Sequence, residues 1–279
     1  QLVYNDDEVK KHFDLRLWVC VSDDFDVKEI VRKILMSATN TEHQNLELDQ
    51  LQKKMQEQII GKRYLLVLDD VWNEDREKWL ELSSLLKFGR EGSKILVTTR
   101  SQNAAKIMGT IPSPYELKGL QEGDSWSLFK KMAFEPGQEC KSPVLVSIGK
   151  EIVQKCGHVP LAIKALGCLL YGKDESKWLS FKEKNLAQIS EGGGGMMNIL
   201  KLSYYHLWSS LKSCFAYCAL FPKDYEFNKE TLISLWLAQG FVIPMSESQS
   251  LEEAGEEYFL TLLNRCFFQD VKEDEWGNI

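Results

Sequence analysis

The sequence predicts an α/β domain with a parallel sheet, followed by two parts that are mainly helical. Over residues 1–118, apolar segments typical of strands alternate with amphipathic segments typical of helices. Residues 119–196 contain only segments with apolar residues at helical spacing, and a run of glycines follows at 192–195. Alternation of strands and helices indicates a parallel sheet, and a glycine run favours a linker.

The first half of the α/β part begins with a helical pattern in "QLVYNDDEVKKHF" and a strand near residues 15–21. A helix follows in "DVKEIVRKILM", where Asp26 and Glu29 have the spacing of a capping box. Leu48, Leu51, Met55 and Ile59 then predict a second amphipathic helix. Gly61 can end that helix in a left-handed conformation.

The second half is centred on "KRYLLVLDDVWNED" at residues 62–75, whose apolar run reads as a strand buried on both faces. We then expect a helix near 77–86, a strand at 93–99, another helix and a short strand near "YELKG". Residues 119–196 predict a helical bundle. Residues 197–279 predict helices that end in a strand at "CFFQDV", with a core formed by Leu211, Cys214, Phe215, Cys218 and Leu220.

Composition favours a soluble, cytoplasmic chain. The 279 residues are 44% hydrophobic, but the longest apolar stretch, at 161–171, is too short and interrupted to cross a bilayer. Seven scattered cysteines suit reduced thiols. Cys214 and Cys218 could share a helix face as metal ligands, but two small core residues are the better interpretation. A chain that starts at Gln1 without a secretory signal looks like a piece of a longer protein.

The net charge of −7 is unevenly distributed along the chain. Residues 1–118 carry 18 positive and 20 negative side chains, and residues 119–196 carry 10 and 9. Residues 197–279 carry only 6 positive side chains against 12 negative ones. Binding of DNA requires clustered lysines and arginines, so this acidic part disfavours a nucleic-acid-binding function.

Asp69 and Asp70 directly follow the buried strand. Ligands bind at the carboxyl ends of strands in an open parallel sheet, and two adjacent carboxylates favour a divalent cation. Many nucleotide triphosphatases hold Mg²⁺ and orient water with this pattern. An acidic turn that caps the next helix would also explain it, and no P-loop of the form G-x-x-x-x-G-K-[ST] occurs in the 279 residues.

The order of several segments resembles the NB-ARC module of plant nucleotide-binding leucine-rich-repeat disease-resistance proteins. These segments are "QLVYND", "FDLRLWVCVSDDFDV", "KRYLLVLDDVW", "GSKILVTTR", "YELKGLQEGDSWSLFKKMAF", "CGHVPLAIKALG" and "CFAYCALFPKDYEFNKETLISLWLAQGF". Trp72 resembles the coiled-coil class of that family. The resemblance implies a P-loop NTPase-type parallel sheet over 1–118, an all-α helical subdomain over 119–196 and a winged-helix subdomain over 197–279. It also implies that the first strand and P-loop precede Gln1, and that a Met-His-Asp motif follows Ile279.

The resemblance further implies the roles of individual residues. It assigns Asp69 to the Mg²⁺ and phosphate site, and Asp70 to catalysis by polarising the attacking water. Arg100 resembles the arginine that senses the γ-phosphate, although a surface arginine that caps a helix would look the same. Pro160 and Leu161 resemble the segment that packs near the adenine, although a proline that opens a helix has a structural reason of its own.

The function implied by the resemblance is an ADP/ATP-operated switch in plant innate immunity. Its implied partners are the coiled-coil and leucine-rich-repeat domains of the parent, a pathogen effector or guarded host protein, and further copies on activation, with no direct nucleic acid. Whether this chain is an enzyme stays open, since the family is a slow ATPase and the P-loop is missing. We expect the isolated chain to be inactive, to bind ADP poorly and to associate through exposed strand edges. The alternatives are a winged-helix nucleic-acid-binding regulator with an ATPase module and a high-turnover ATPase of the helicase or AAA type.

Overall fold

The computed structural model describes residues 2–21, 24–43, 46–110, 114–137, 142–186, 189, 195–223, 225–269 and 271–272. The chain divides into two compact units, residues 1–116 and 117–279. The sequence predicts three parts, 1–118, 119–196 and 197–279, and this finer division remains a prediction. Among the described residues, no helix is long and apolar enough to cross a membrane.

The first unit is built on a parallel three-stranded sheet, as predicted. Its strands are β1 (Leu15–Cys20), β2 (Tyr64–Asp69) and β3 (Lys94–Val97), with β2 in the middle. The alternating burial of β1 and the almost complete burial of β2 match their apolar sequences. In β3, by contrast, Leu96 is 54% exposed at the edge of the described sheet. The strand that ends in Asp69 therefore has more buried residues than either of its neighbours.

Five helices of the described chain belong to this unit: α1 (Asp7–His12), α2 (Val27–Thr39), α3 (Leu48–Ile59), α4 (Arg76–Leu85) and α5 (Gln102–Met108). Asp26 caps α2 by accepting the Glu29 N–H at 3.1 Å. Only half of the predicted capping box forms, because the Glu29 carboxylate binds Arg32 instead. Gly61 has the predicted left-handed conformation, with φ of +72°.

The second unit begins with the predicted helical bundle, which consists of α6 (Glu122–Ala133), α7 (Pro143–Lys155), α8 (Pro160–Leu170) and α9 (Glu175–Lys184). Phe129, Ile152, Leu166 and Trp178 are central members of its buried core. The amino-terminal half of the next helix, α10 (Gly195–Tyr205), packs on the same core through Ile199. We call this core the helical cluster.

A separate core, the winged-helix cluster, is formed by α11 (Ser209–Tyr217), α12 (Lys229–Ala238) and α13 (Leu251–Asn264), with a 3₁₀ turn at Cys218–Leu220. Leu211 and Cys214 are buried in it, and Phe215 and Cys218 are half-buried against it. The prediction for Leu220 is wrong, because this residue lies in the 3₁₀ turn and is 75% exposed.

Four further predictions need correction. The segment "YELKG", residues 115–119, forms no strand. The described residues of the second predicted strand "CFFQDV", 266–269 and 271, form none either, and the chain turns after α13. Residues 2–5 form turns, so helix α1 starts only at Asp7. Gly195 opens α10 instead of belonging to a linker, while residues 192–194 lie outside the described residues.

Candidate functional site

The carboxyl ends of β2 and β3 bring together Asp69, Asp70, Thr98 and Arg100. The Thr98 N–H donates to the Leu68 carbonyl at 3.0 Å, and the Val71 N–H donates to the Thr98 carbonyl at 2.9 Å. These bonds extend the pairing of the two strands beyond their last regular residues. The sheet thus holds the four side chains in one short stretch of neighbouring backbone.

Asp69, the last residue of β2, is fixed from both sides. Its carbonyl accepts the Val21 N–H at 3.0 Å, which anchors it to the segment after β1. Its carboxylate accepts a hydrogen bond from the Thr98 hydroxyl. The carboxylate is half-buried. A carboxylate held in this way at a sheet edge suits a hard cation or a polarised water.

Asp70 has an unusual backbone conformation, with φ of +53°. Aspartate tolerates this left-handed region better than most residues do, but it still carries some strain. The Asp70 N–H donates to the Thr98 hydroxyl oxygen at 2.9 Å, which helps to hold the turn. The turn carries the chain from β2 into the loop before α4 and directs the Asp70 side chain towards Arg100.

Arg100 binds the Asp70 carboxylate in a forked arrangement. Its Nη2 lies 3.1 and 3.2 Å from the two carboxylate oxygens, and its Nε lies 3.3 Å from Oδ1. The guanidinium also lies over the Trp72 ring, 4.5 Å from its centroid. The Arg100 side chain is 70% exposed, so solvent screens this pair and a ligand can reach the guanidinium. A planar guanidinium suits the bidentate recognition of phosphate.

A second group of polar side chains supports the loop that carries Arg100. Ser101 caps α5 by accepting the Ala104 N–H, and its hydroxyl donates to Glu74 at 2.6 Å. Asn103 donates to the other Glu74 oxygen at 3.3 Å. Glu74 therefore ties the loop after β2 to the start of α5.

Asp69 and Asp70 could bind Mg²⁺ only if a phosphate ligand supplied further oxygen atoms. Within the described ranges, no three acidic, histidine or cysteine side chains are placed to hold a metal ion by themselves. Magnesium is commonly bound by one or two carboxylates, with waters and nucleotide phosphates completing its shell. Asp69 provides one such carboxylate, and Asp70 is already paired with Arg100.

Pro160 and Leu161 lie in the second compact unit, at the start of α8. Pro160 occupies the first turn of that helix and is exposed, and Leu161 is half-buried. His158, two residues before Pro160, has φ of +60°, and its Nδ1 lies 2.9 Å from the hydroxyl of the buried Ser125. The structure thus confirms the helix start at Pro160, while the adenine-side role remains a prediction.

Sequence reasoning missed Thr98 and Glu74 as members of the site. Thr98 precedes Arg100 by two residues in "TTR", and a hydroxyl at the end of the strand next to Asp69 was the available signal. Glu74 gave no signal, because its partners Ser101 and Asn103 are distant in sequence.

These features define a class of protein: an α/β nucleotide-binding module of the P-loop NTPase type, followed by helical and winged-helix parts. The model of the NB-ARC domain matches residues 1–139, and that of the disease resistance protein winged helix domain matches residues 220–279. The chain belongs to the family of plant disease-resistance proteins that contain these two domains.

Several curated relatives match nearly the whole chain. The putative disease resistance protein RGA4 of Solanum bulbocastanum is 46% identical over 100% of this chain, and the disease resistance protein RGA2 of the same species is 45% identical over 98% of it. The disease resistance RPP13-like protein 4 of Arabidopsis thaliana is 36% identical over 100% of the chain. The chain spans 28% of the first two relatives and 33% of the third.

Proposed function

We propose that this chain is part of a nucleotide-operated switch in plant defence signalling, in which ADP keeps the protein closed, ATP opens it and hydrolysis resets it. The observation that carries the proposal is the cluster of Asp69, Asp70, Thr98 and Arg100 at the ends of two neighbouring parallel strands. The family supports nucleotide binding, and relatives named as disease-resistance proteins support the role in defence.

We propose a role for each site residue, and its contacts in the structure support that role. Asp69 would hold Mg²⁺, which would supply charge neutralisation for the nucleotide phosphates. Asp70 would orient and polarise the attacking water. Arg100 would move from the Asp70 carboxylate to the γ-phosphate when ATP is bound.

The pairing of Arg100 with Asp70 suits a switch better than a fast catalyst. A ligand shifts a conformational equilibrium only by its differential affinity for the two states. Arg100 can distinguish ATP from ADP, because only ATP offers a γ-phosphate that competes with the Asp70 carboxylate. Slow turnover is the expected result, which argues against a high-turnover ATPase.

The remaining roles concern the rest of the protein. We place Pro160 and Leu161 on the adenine side of the nucleotide. Coiled-coil and leucine-rich-repeat domains of the same protein, an effector or guarded host protein, and further copies of the protein are the proposed partners, and the cytoplasm is the proposed location. A nucleic-acid-binding function is disfavoured, because Lys229 on α12 is paired with Glu256 at 3.0 Å and acidic side chains outnumber basic ones in this region.

The test is nucleotide retention and steady-state hydrolysis in the full-length protein. Asp69→Ala should weaken Mg²⁺-dependent ATP binding. Asp70→Ala should leave binding largely intact but slow hydrolysis by about tenfold or more. Asp49→Ala, which removes an exposed carboxylate on α3, is the matched control. Equal retention and turnover in all variants would refute the assignment, and many turnovers per second in the wild type would refute the switch.

A further inference from the structure

Positive charge is concentrated at one edge of the sheet in the first unit. Residues 60–63, which precede β2, and residues 87–94, which lead into β3, comprise twelve residues, of which five are basic and one is acidic. The basic residues are Lys62, Arg63, Lys87, Arg90 and Lys94. The chain as a whole has the opposite balance, with 34 lysines and arginines against 41 acidic residues. We call these two segments the basal patch.

The two segments of the basal patch lie side by side. The Arg90 N–H donates to the Lys62 carbonyl at 2.8 Å, which joins the segment before β3 to the segment before β2. A Cβ atom added to Gly92 would lie 3.0 Å from the Arg63 Nε, so the Arg63 side chain lies across the backbone of the second segment. The basic residues of both segments therefore contribute to one surface.

Two large apolar side chains are exposed within this patch. Phe88 is 48% exposed and Ile60 is 59% exposed. An antiparallel bridge between Ile60 and Gly89 places the two side chains on neighbouring stretches of backbone. Neither belongs to the buried core of the first unit. The patch therefore offers apolar surface and positive charge at the same place.

The charges of the patch are available to a partner. Lys87, Arg90 and Lys94 are exposed, and among the described residues none of the five basic side chains forms an ion pair. The neighbouring Asp14 carboxylate accepts the Arg63 backbone N–H at 2.8 Å and does not pair with the guanidinium. A surface of unpaired cations attracts an anionic partner.

The apolar side chains favour a lipid surface over a nucleic acid. Nucleic acids are held by contacts to phosphate and by stacking of bases on aromatic rings, and neither contact uses an exposed isoleucine. An anionic membrane uses both parts of the patch. Lysine and arginine bind its head groups, while phenylalanine and isoleucine enter the boundary between head groups and acyl chains.

We propose that the basal patch binds the surface of a membrane that contains anionic lipids. Lys62, Lys87 and Arg90 contact the head groups, and Phe88 and Ile60 insert beside them. The patch lies at the amino ends of parallel strands, whereas the candidate nucleotide site lies at their carboxyl ends. Membrane contact at the patch is therefore separate from the nucleotide site and does not depend on its proposed function.

The experiment is flotation of the purified chain with phospholipid vesicles. One set consists of phosphatidylcholine alone, and the other contains about 30% phosphatidylserine. At about 0.1 M salt, we expect at least about tenfold tighter binding to the anionic vesicles, and we expect about 0.5 M salt to remove most of that difference. Equal binding to both sets of vesicles, or no binding to either, would overturn the proposal.

A charge-reversal variant tests whether the patch itself makes the contact. The double variant Lys87→Glu, Arg90→Glu should bind the anionic vesicles at least about tenfold more weakly. The matched control is Lys177→Glu, Lys184→Glu, which makes the same change of net charge at two exposed lysines of α9 and should stay within about twofold of the wild type. An equal loss in the two double variants would show that net charge, and not the patch, controls binding.

An apolar variant separates a membrane from other anionic partners. Phe88→Ala should weaken vesicle binding by about fivefold, because it removes a side chain that inserts into the lipid. Leu251→Ala, which truncates a side chain that is 50% exposed on α13, is the control and should leave binding unchanged. If Phe88→Ala binds vesicles like the wild type while the charge reversal abolishes binding to a short DNA duplex, the patch is a nucleic-acid-binding surface and the proposal is wrong.

Discussion

At the scale of single residues, the candidate site depends on a hydroxyl that sequence patterns did not indicate. The Thr98 hydroxyl accepts the Asp70 N–H and donates to the Asp69 carboxylate. One oxygen atom therefore holds the left-handed turn at Asp70 and orients the neighbouring carboxylate. Removal of the Thr98 hydroxyl should therefore disturb both Asp69 and Asp70, although neither aspartate is itself substituted.

We expect Thr98→Val to lower the free energy of unfolding by about 1 kcal/mol, because it leaves two polar groups at a partly exposed site without their partner. Urea denaturation of the chain measures the effect. Thr98→Ser keeps the hydroxyl and serves as the control. Its loss in the free energy of unfolding should be less than about half that of Thr98→Val. An equal or larger loss in Thr98→Ser would show that the hydroxyl is not the main support of the turn.

The reactivity of Cys266 should depend on pH in a direction set by its neighbours. Lys164 and the Cys168 thiol stabilise the thiolate, and the pKa of Cys266 is about 7. The rate of alkylation by iodoacetamide should therefore rise with pH through about 7, whereas Cys218, with a pKa of about 11, should stay slow up to pH 9. Quantitative mass spectrometry from pH 5 to 9 measures both rates. A midpoint for Cys266 at the ordinary value of 9.0 would contradict this prediction.

At the scale of elements, α11 and the 3₁₀ turn after it show how one apolar segment divides between core and surface. Leu211 is completely buried in the winged-helix cluster, whereas Leu220 is 75% exposed. Cys218 donates from its sulfur to the Cys214 carbonyl at 3.6 Å, a bond that links two successive turns of the same segment. The helix ends at Tyr217, and its apolar face ends with it.

Leu211→Ala should therefore cost about 2–5 kcal/mol of stability, because it leaves a cavity in a packed core. Leu220→Ala, which makes the same chemical change, should stay within about 0.5 kcal/mol of the wild type. Thermal and urea unfolding of the two variants provide the comparison. Similar losses in both would mean that Leu220 packs against the protein after all.

At the scale of the whole molecule, the division into two compact units falls within a stretch without regular structure. Residues 114–121 form neither helix nor strand, and Tyr115 and Leu117 in this stretch are 87% and 88% exposed. Exposed chain of this kind is the preferred site of proteolytic cleavage. Proteolysis should therefore begin in this stretch.

We expect limited digestion with chymotrypsin to cut first after Tyr115 or Leu117 and to give two protected fragments. Tyr205, at the end of α10, is 66% exposed but helical, so cleavage there should be slower. Mass spectrometry of early digestion times identifies the cuts, and the double variant Tyr115→Ala, Leu117→Ala should delay them. Earlier cleavage at Tyr205 would contradict the division at this position.

The sequence by itself determined the elements whose signals are local. Apolar runs and helical spacing predicted β1, β2 and most of the helices. Asp26 and Gly61 predicted helix ends. The order of several segments along the chain predicted the family. The segments near 115–119 and 266–269 resembled strands because their residues favour extended structure. Whether such a segment becomes a strand depends on pairing with a neighbouring strand. The described residues of these two segments form no such pairing.

Only the tertiary structure decided which distant side chains meet. Asp70 and Arg100 pair because β2 and β3 lie side by side, and Glu74 meets Ser101 because the loop after β2 lies beside the start of α5. Neither pairing leaves a periodic signal, since each depends on how separate elements pack and not on spacing along the chain. Composition and periodicity report local preference and burial, whereas the chemistry of a site depends on contacts that folding alone creates.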